Sequence, residues 1–349
     1  MERCLRPGRT PSLAGEFPLI FDERFSGRVV AYIDGGDVRS TCAIIVREML
    51  FEGVRMRVGM IGSVATQPAW RGRGLASTVL DEAEACLARE GCAISFLWAD
   101  DPDFYAGRGY GPFGWEVDFL VPAAVLRPIV SEARIRTLVP DDTLTVQRLY
   151  MQNVARVDRT LEETAALLAC PGMETLVLQH QSVVRAYACL GRGADFQNTV
   201  HEWGGEAEDV VALLAEHARR SARAGIEDPI ALIAPPDASA LRKRLTDLGA
   251  QVVEGVLAMA KPLDTRVLAE LLGRFGGEWR AEQDRSPGSH SAIVLRGPSG
   301  RLALSGDQVM ETLFAARGER TAIAKLEHSL GSLAPKLPLA PFIWGLDSI

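Results

Sequence analysis

Residues 54–98 change period at one point, and that change limits the folds open to this chain. Up to Thr66 the pattern alternates, with Arg55 and Arg57 set against Met56, Val58 and Met60. That is a strand with one solvated and one buried face. The alternation breaks at Gly59 and Gly62, and glycine inside a strand marks a bulge or a close backbone approach. From Leu75 the apolar residues Val79, Ala83, Cys86 and Leu87 follow at helical spacing, with Asp81, Glu82, Glu84 and Arg89 on the other face. Gly91 is placed to stop that helix, and residues 92–98 read as a buried strand. A strand, a helix and a second strand in this order predict a mixed α/β class.

Between the first strand and the helix stand Pro68 and the run Arg71-Gly72-Arg73-Gly74. Free backbone N–H groups and the positive end of the dipole make a helix N-terminus an anion site. Glycine lets the backbone approach a phosphate closely. Arg71 and Arg73 add charge, and Ser77 and Thr78 add hydroxyls in the first turn. A pyrophosphate fits this pattern, and so does a plain solvated basic loop. Two other phosphate motifs do not fit. A Walker A loop needs Gly-Lys-Ser/Thr. The dinucleotide fingerprint needs a third glycine where Leu75-Ala76-Ser77 stand, and a second βαβ repeat with an acidic residue at the expected distance.

At 349 residues the chain is too long for one ordinary core and predicts two or three domains. Upstream, residues 28–50 read as a hairpin turning at Asp34-Gly35-Gly36-Asp37. Downstream, residues 99–114 read as a loop with a helical turn, followed by a strand. A second run starts near residue 130. It has a short strand, an Asp-rich cap and a helix, then a hairpin near Gln179 to Gln181, a strand, an amphipathic helix, a strand, a helix and a closing strand. Its order of elements echoes the first run. Past Pro262 the pattern becomes a helix, a hairpin and a helix, and the tail ends apolar.

The motifs resemble those of the GNAT acetyltransferases. "RGRGLA" fits the R-x-x-G-x-G/A loop of that family, after the glycine-broken strand "MIGSVAT" and Pro68, and "FYAGRGYGPFG" looks like its second landmark. The whole chain is similar to the Eis (enhanced intracellular survival) type. The resemblance implies a GNAT fold over residues 1–125, a degenerate GNAT-like domain over 130–262 and a small α+β domain like a sterol carrier protein over 263–349. Helix entry in the middle run goes through Gly204-Gly205-Glu206-Ala207-Glu208. It is acidic and without arginine, so one catalytic site per chain is expected. About 25 residues precede the first hairpin, fewer than the family's usual strand and helices. The expectation is that these are missing or lie upstream.

The resemblance also assigns roles. Backbone groups of Val64, Ala65 and Thr66 would hold the pantetheine arm of acetyl-CoA. Arg71, Gly72, Arg73, Gly74, Leu75, Ala76 and Ser77 would hold its pyrophosphate. Tyr105 matches the family's general acid, and Tyr110 its aromatic packing position. Acetyl transfer to an amine also needs a base, because a free amine is mostly protonated at neutral pH. The strand before the loop carries no Asp or Glu. Glu48 and Glu52 are expected to face solvent, and Asp100, Asp101 and Asp103 flank the site. Eis-type enzymes use their own terminal carboxylate, which makes Ile349 the candidate base. His180 and His201 read as strand residues.

Composition narrows the partners. A net charge of −7 argues against a general nucleic-acid binder and suits a cationic substrate. The six cysteines form no C-x-x-C pair and no zinc spacing, so no metal is expected and a reduced, cytoplasmic protein is. The N-terminus has no apolar signal core, and no apolar run reaches membrane length. The expected function is acetyl-CoA-dependent N-acetylation of a primary amine, either a small molecule, aminoglycosides included, or a lysine side chain of a peptide. A homo-oligomer stays open among the partners, and no nucleic acid or membrane is expected. The alternatives are a non-catalytic acyl-CoA sensor and a lipid carrier acting through residues 263–349.

Overall fold

The computed structural model describes residues 1–8, 13–51, 53–276, 280–283, 293–297, 300–314, 339 and 341–349. Three short helices come first: α1 (Glu2–Leu5), α2 (Leu13–Glu16) and α3 (Pro18–Phe21). The hairpin β1 (Arg28–Asp34) and β2 (Asp37–Phe51) follows. Its two-residue turn is Gly35-Gly36, with φ of 59° and 84°. Two successive positive φ values match the twist of the flanking strands and favour glycine. Next come β3 (Val54–Thr66), α4 (Leu75–Arg89), β4 (Ile94–Leu97), α5 (Pro102–Ala106) and β5 (Gly111–Val121).

The middle run begins with α6 (Ala123–Leu126), β6 (Arg134–Thr137), α7 (Thr143–Tyr150), β7 (Arg156–Val157) and α8 (Leu161–Leu168). It continues through β8 (Glu174–His180), β9 (Val183–Arg192), β10 (Asp195–Gly204) and α9 (Ala207–Arg223). It ends with β11 (Ile230–Ala234), α10 (Ser239–Asp247) and β12 (Gln251–Pro262). The last described elements are α11 (Thr265–Gly276), β13 (Arg280–Gln283), β14 (Ile293–Gly297), β15 (Gly300–Leu304) and α12 (Gly306–Phe314). The class is mixed α/β, as the patterning predicts.

One sheet runs through the first two runs, in the order β1-β2-β3-β4-β12-β5-β11-β10-β9-β8-β6, with β7 paired to β2. The last strand of the middle run, β12, is inserted between β4 and β5 of the first. Lys261 lies opposite Ser95 of β4, and Ala260 opposite Gly111 of β5. The echo in element order is also an echo in pairing. β3 and β4 are parallel neighbours around α4, and β10 and β11 are parallel neighbours around α9. A separate three-stranded sheet, β13-β14-β15, belongs to the last run. There α12 brings Phe314 edge-on to Phe113 (5.1 Å) and Phe51 (6.2 Å), covering one face of the first run.

The structure adds elements that the patterning did not give, among them the short helices α1, α2, α3 and α6 and the strand β7. Helix α8 is absent from the sequence reading, although Thr160 and Glu163 form a reciprocal capping box at its start. β13 is also absent from it. Glu84, assigned to the solvated face of α4, is buried, because Lys261 and Tyr110 supply the donors it needs.

The chain end is fixed by a buried charge cluster. The Arg159 guanidinium donates to both oxygens of Glu202 (3.1 and 2.7 Å) and both oxygens of Asp347 (2.7 and 2.6 Å). All three side chains are about 1% exposed. The Tyr150 hydroxyl donates to Asp347 at 2.8 Å, and the Tyr187 hydroxyl donates to Glu202 at 3.1 Å. Arg192, also buried, donates to the carbonyls of Gly345 (2.8 Å) and Ser348 (3.0 Å). The Trp344 indole packs edge-on to Trp203 and donates to the Ala155 carbonyl at 3.1 Å. Removing one member of a buried ion cluster leaves its partners uncompensated and costs about 3–5 kcal/mol. Arg159→Met therefore lowers unfolding stability by that order in a denaturant melt. A loss below about 1 kcal/mol would show that the cluster does not anchor the tail.

Candidate active site

The site is built around the far half of β3. Its parallel pairing with β4 covers only Val58, Met60 and the glycine between them. Among the described residues, β3 from Ile61 to Thr66 has β2 on one side and no strand on the other. Its backbone donors and acceptors on that edge are therefore open to a ligand chain. The edge carries a bulge. Gly62 lies opposite Ala43 and Ala65 opposite Thr41, so Ser63 and Val64 together face Cys42 alone. Ser63 takes φ 50° to accommodate the extra residue. The glycine-broken pattern locates the bulge to within a residue. Gly59 and Gly62 have a different reason, close approach: a Cβ on Gly59 would lie 2.5 Å from the Leu87 side chain.

At the end of the open edge stands the N-terminus of α4. Gly72 and Gly74 have φ of 72° and 78°, and a Cβ on either would meet nothing within 4 Å. Gly74 is the N-cap, and no side chain among the described residues caps the helix. Its first internal bond is the Thr78 N–H to the Gly74 carbonyl at 3.0 Å. The N–H groups of Leu75, Ala76 and Ser77 precede it and point along the axis toward solvent. Leu75 is buried and pins the turn, while residues 71–74 are exposed. The Arg73 guanidinium stacks 4.7 Å from the centroid of Trp70, which also carries Arg39 at 4.6 Å. Arg71 Nε donates to the Thr66 carbonyl at 3.3 Å, tying the loop to the strand end. Val64, Ala65, Thr66 and residues 71–77 thus form one continuous track.

The two candidate catalytic groups lie on opposite faces of β3. A Cβ on Gly62 would sit 2.5 and 2.6 Å from the carboxyl oxygen and carbon of Ile349, so glycine is what admits the chain terminus to the bulge. The adjacent residue, Ile61, packs on the other face in a cluster with Cys42, Val79 and Tyr110, and Tyr105 lies against that cluster. Tyr105 belongs to α5, whose start is fixed by Pro102 and by the Asp101 carboxylate accepting from Phe104 N–H. Its ring is edge-on to Phe104 (5.0 Å) and Tyr110 (5.8 Å). Burial, reinforced by the Asp100 charge, raises its hydroxyl pKa above the ordinary value, so it stays protonated at neutral pH. Tyr110 is buried and bonded to Ser95 and Glu84, as a packing residue should be.

A cavity of about 460 Å³ opens at Ser63 and Ile349. Trp98, Phe17, Leu257 and Ile343 form apolar walls, and Asp100, Glu116 and Asp195 bring carboxylates. Arg6 also reaches it, already bonded to Glu16 and to Asp195 (2.9 Å). Glu116 and Asp195 are absent from the sequence reading. The pattern Trp115-Glu116-Val117-Asp118-Phe119 carried a signal for the former, since it puts two carboxylates on one face of β5. Burial pushes the Glu116 carboxyl up to about 8, with Asp118 adding to the shift, and one Asp118 oxygen is buried without a partner among the described residues.

The other candidate bases are differently placed. Asp100 lines the cavity, Asp101 caps α5 and Asp103 is exposed. Glu48 sits beside Arg57 (3.6 Å), six residues along β3 from Ser63. Glu52 lies outside the described residues. His180 is exposed, and burial holds His201 at about 3, neutral, with Nε2 on the Gly191 carbonyl. In the middle run, α9 starts at Glu206 with Glu208 and Asp209 in its first turn, charges that oppose a bound phosphate. Among the described residues no group of three His, Cys, Asp or Glu could hold a metal, and no helix is long and apolar enough to cross a membrane.

Residues 11–117 match the family described as acetyltransferase (GNAT) domain. An aminoglycoside 2'-N-acetyltransferase of Mycolicibacterium fortuitum is 33% identical over 94 residues, 26% of this chain and 48% of that protein. The chain thus spans about half the length of this curated relative. Three solved structures share the fold. A probable N-acyltransferase from Enterococcus faecalis has a TM-score of 0.72 at 16% identity, over 100% of this chain and 95% of that one. A GCN5-related N-acetyltransferase from Kribbella flavida gives 0.63 at 16% identity, over 91% and 88%. Eis1 from Mycobacterium abscessus gives 0.59 at 12% identity, over 100% and 95%. The bulged strand, the arginine-glycine turn and the helix it opens all lie within the residues that match the acetyltransferase (GNAT) domain family.

Proposed function

We propose that this protein acetylates a primary amine at the expense of acetyl-CoA. The observation that carries the reading is the unbroken track from the uncapped N-terminus of α4, along the open edge of β3, to the bulge where the chain terminus lies. Acetyl-CoA supplies an activated acyl group as a thioester. The N–H groups of residues 75–77, with Arg71 and Arg73, neutralise the pyrophosphate. Backbone groups of Val64, Ala65 and Thr66 orient the pantetheine arm along the strand, as an added edge ligand.

The amine enters from the cavity as an ammonium, drawn by Asp100 and, as pH rises through about 8, by Glu116, while Asp195 is already paired with Arg6. The Ile349 carboxylate removes its proton. The neutral nitrogen attacks the acyl carbon, the C–S bond breaks, and the Tyr105 hydroxyl protonates the departing sulfur from the opposite face; the nitrogen gives up its second proton to solvent as the amide forms, and the Tyr105 oxygen takes a proton back from solvent. The cavity carboxylates favour an acceptor with more than one positive charge. The aminoglycoside 2'-N-acetyltransferase, by its name, acts on such a compound.

We read residues 130–262 as a degenerate GNAT domain and residues 263–349 as a domain like a sterol carrier protein that delivers the terminus. The protein is taken to act in the cytoplasm on a small-molecule or peptide amine, without nucleic acid or membrane. A thiol-release screen over an amine panel tests the activity. Binding of acetyl-CoA with no amine-dependent thiol release would leave the sensor reading.

Three outcomes check the parts. Gly74→Glu puts a charge into the open space above α4 and abolishes acetyl-CoA binding by calorimetry. Gly74→Asn, which tolerates positive φ, keeps most of it. Equal affinity in both variants would remove the pyrophosphate assignment.

Residues added after Ile349 replace its carboxylate with an amide, and kcat falls on the order of 100-fold. An N-terminal extension leaves kcat unchanged, and equal rates for the two would exclude the terminus as base. In the wild type, Glu116 gains charge as pH rises through about 8, so the amine KM falls across that range relative to Glu116→Gln. Parallel pH profiles would take Glu116 out of acceptor binding.

A further inference from the structure

The strand that the middle run inserts into the first ends beside the element that carries Tyr105. Lys261, near the end of β12, donates from Nζ to Glu84 Oε2 at 2.6 Å. Glu84 is on the inner side of α4, and its other oxygen accepts from the Tyr110 hydroxyl at 3.0 Å. A phenol has one proton, so Ser95 Oγ must donate to Tyr110, at 3.1 Å. Arg108 bonds Asp81 of the same helix and lies 3.7 Å from Glu84. Tyr110 N–H closes the turn onto the Tyr105 carbonyl at 3.2 Å, and the two rings are 5.8 Å apart. Gly109 takes φ 86°, a left-handed conformation that favours glycine, and the Lys261 stem lies at ordinary contact distance from it.

The polar contacts that locate residues 105–110 against α4 pass through Glu84 and its neighbour Asp81. Glu84 is a nearly buried carboxylate, and burying such a group is costly unless donors partner its oxygens. Lys261 is the nearest one. Without it, Glu84 draws on Arg108, Arg108 leaves Asp81, and the turn that sets the Tyr105 hydroxyl moves. A displacement of about 1 Å at a reacting group can cost 100-fold in rate.

We infer that Lys261 is a positioning residue for Tyr105, acting through Glu84 and Tyr110, so that the middle run contributes to proton delivery in the first. This rests on the reading of Tyr105 as the general acid.

The test is a double-mutant cycle of Lys261→Met and Tyr105→Phe, read by single-turnover thiol release with acetyl-CoA and the best amine of the panel. Lys261→Met is expected to lower the rate about 10- to 100-fold with the acetyl-CoA Kd unchanged, and Lys261→Arg to restore most of it. In the Tyr105→Phe background, Lys261→Met should change the rate less than about 2-fold, because the group it positions is gone. Multiplying effects in the cycle, or a Lys261→Met enzyme with wild-type rate, overturn the inference. A Tyr105→Phe enzyme with wild-type rate instead overturns the general-acid reading on which it stands. If Lys261→Met does not fold, Lys261→Gln carries the same cycle.

Discussion

The Arg159 guanidinium, out of water and shared between Glu202 and Asp347, is the interaction on which the candidate site depends. Glu202 belongs to β10 in the middle of the great sheet, and Asp347 is two residues from the chain end. A charge cluster this buried is a poor source of net stability, because desolvation offsets most of its attraction. Its value is geometric. It has one arrangement that satisfies every donor and acceptor, and that arrangement fixes the terminal turn. Arg192 then holds the carbonyls of Gly345 and Ser348, so the last residue has little freedom left.

With the terminus fixed, β3 has the two candidate catalytic groups on its opposite faces. On one face lie the Ile349 carboxyl group and an acidic cavity. On the other lie Tyr105 and the apolar cluster under α4. A ligand chain along the open edge would present its acyl carbon at the bulge, with proton removal on one face and proton delivery on the other. The two proton movements need not share a group. Burial raises the pKa on both faces: it keeps the Tyr105 hydroxyl protonated, and it holds the Glu116 carboxyl largely neutral until pH rises through about 8.

The insertion of β12 makes the first two runs a single body. Separate sheets would let them move against each other, as domains with modest polar interfaces do. Here β12 is hydrogen-bonded on both sides to strands of the first run, and β5 is in turn bonded to β11 of the second. Contributions from residues distant in sequence, Arg159 near one side of the site and Lys261 near the other, can then be held to fractions of an ångström.

What the sequence by itself determined is everything that acts within a few residues. Gly35-Gly36 specified a tight hairpin turn, Gly62 announced a close approach near the bulge, and the 3.6-residue period from Leu75 placed α4 to within a residue of its observed ends. Arg71-Gly72-Arg73-Gly74 marked the turn that opens α4, and even α8 carried a local mark in Thr160 and Glu163. The tertiary structure alone decided the rest. Nothing in residues 251–262 says that their partners are β4 and β5, about 150 residues earlier, because strand pairing is set by which edges are free when the sheet closes. The burial of Glu84 follows from that choice, since its counter-ion Lys261 arrives on the inserted strand. The acidic cavity and the seat of Ile349 against Gly62 were likewise fixed by packing, which joins residues by complementarity of shape and charge and leaves no periodic trace along the chain.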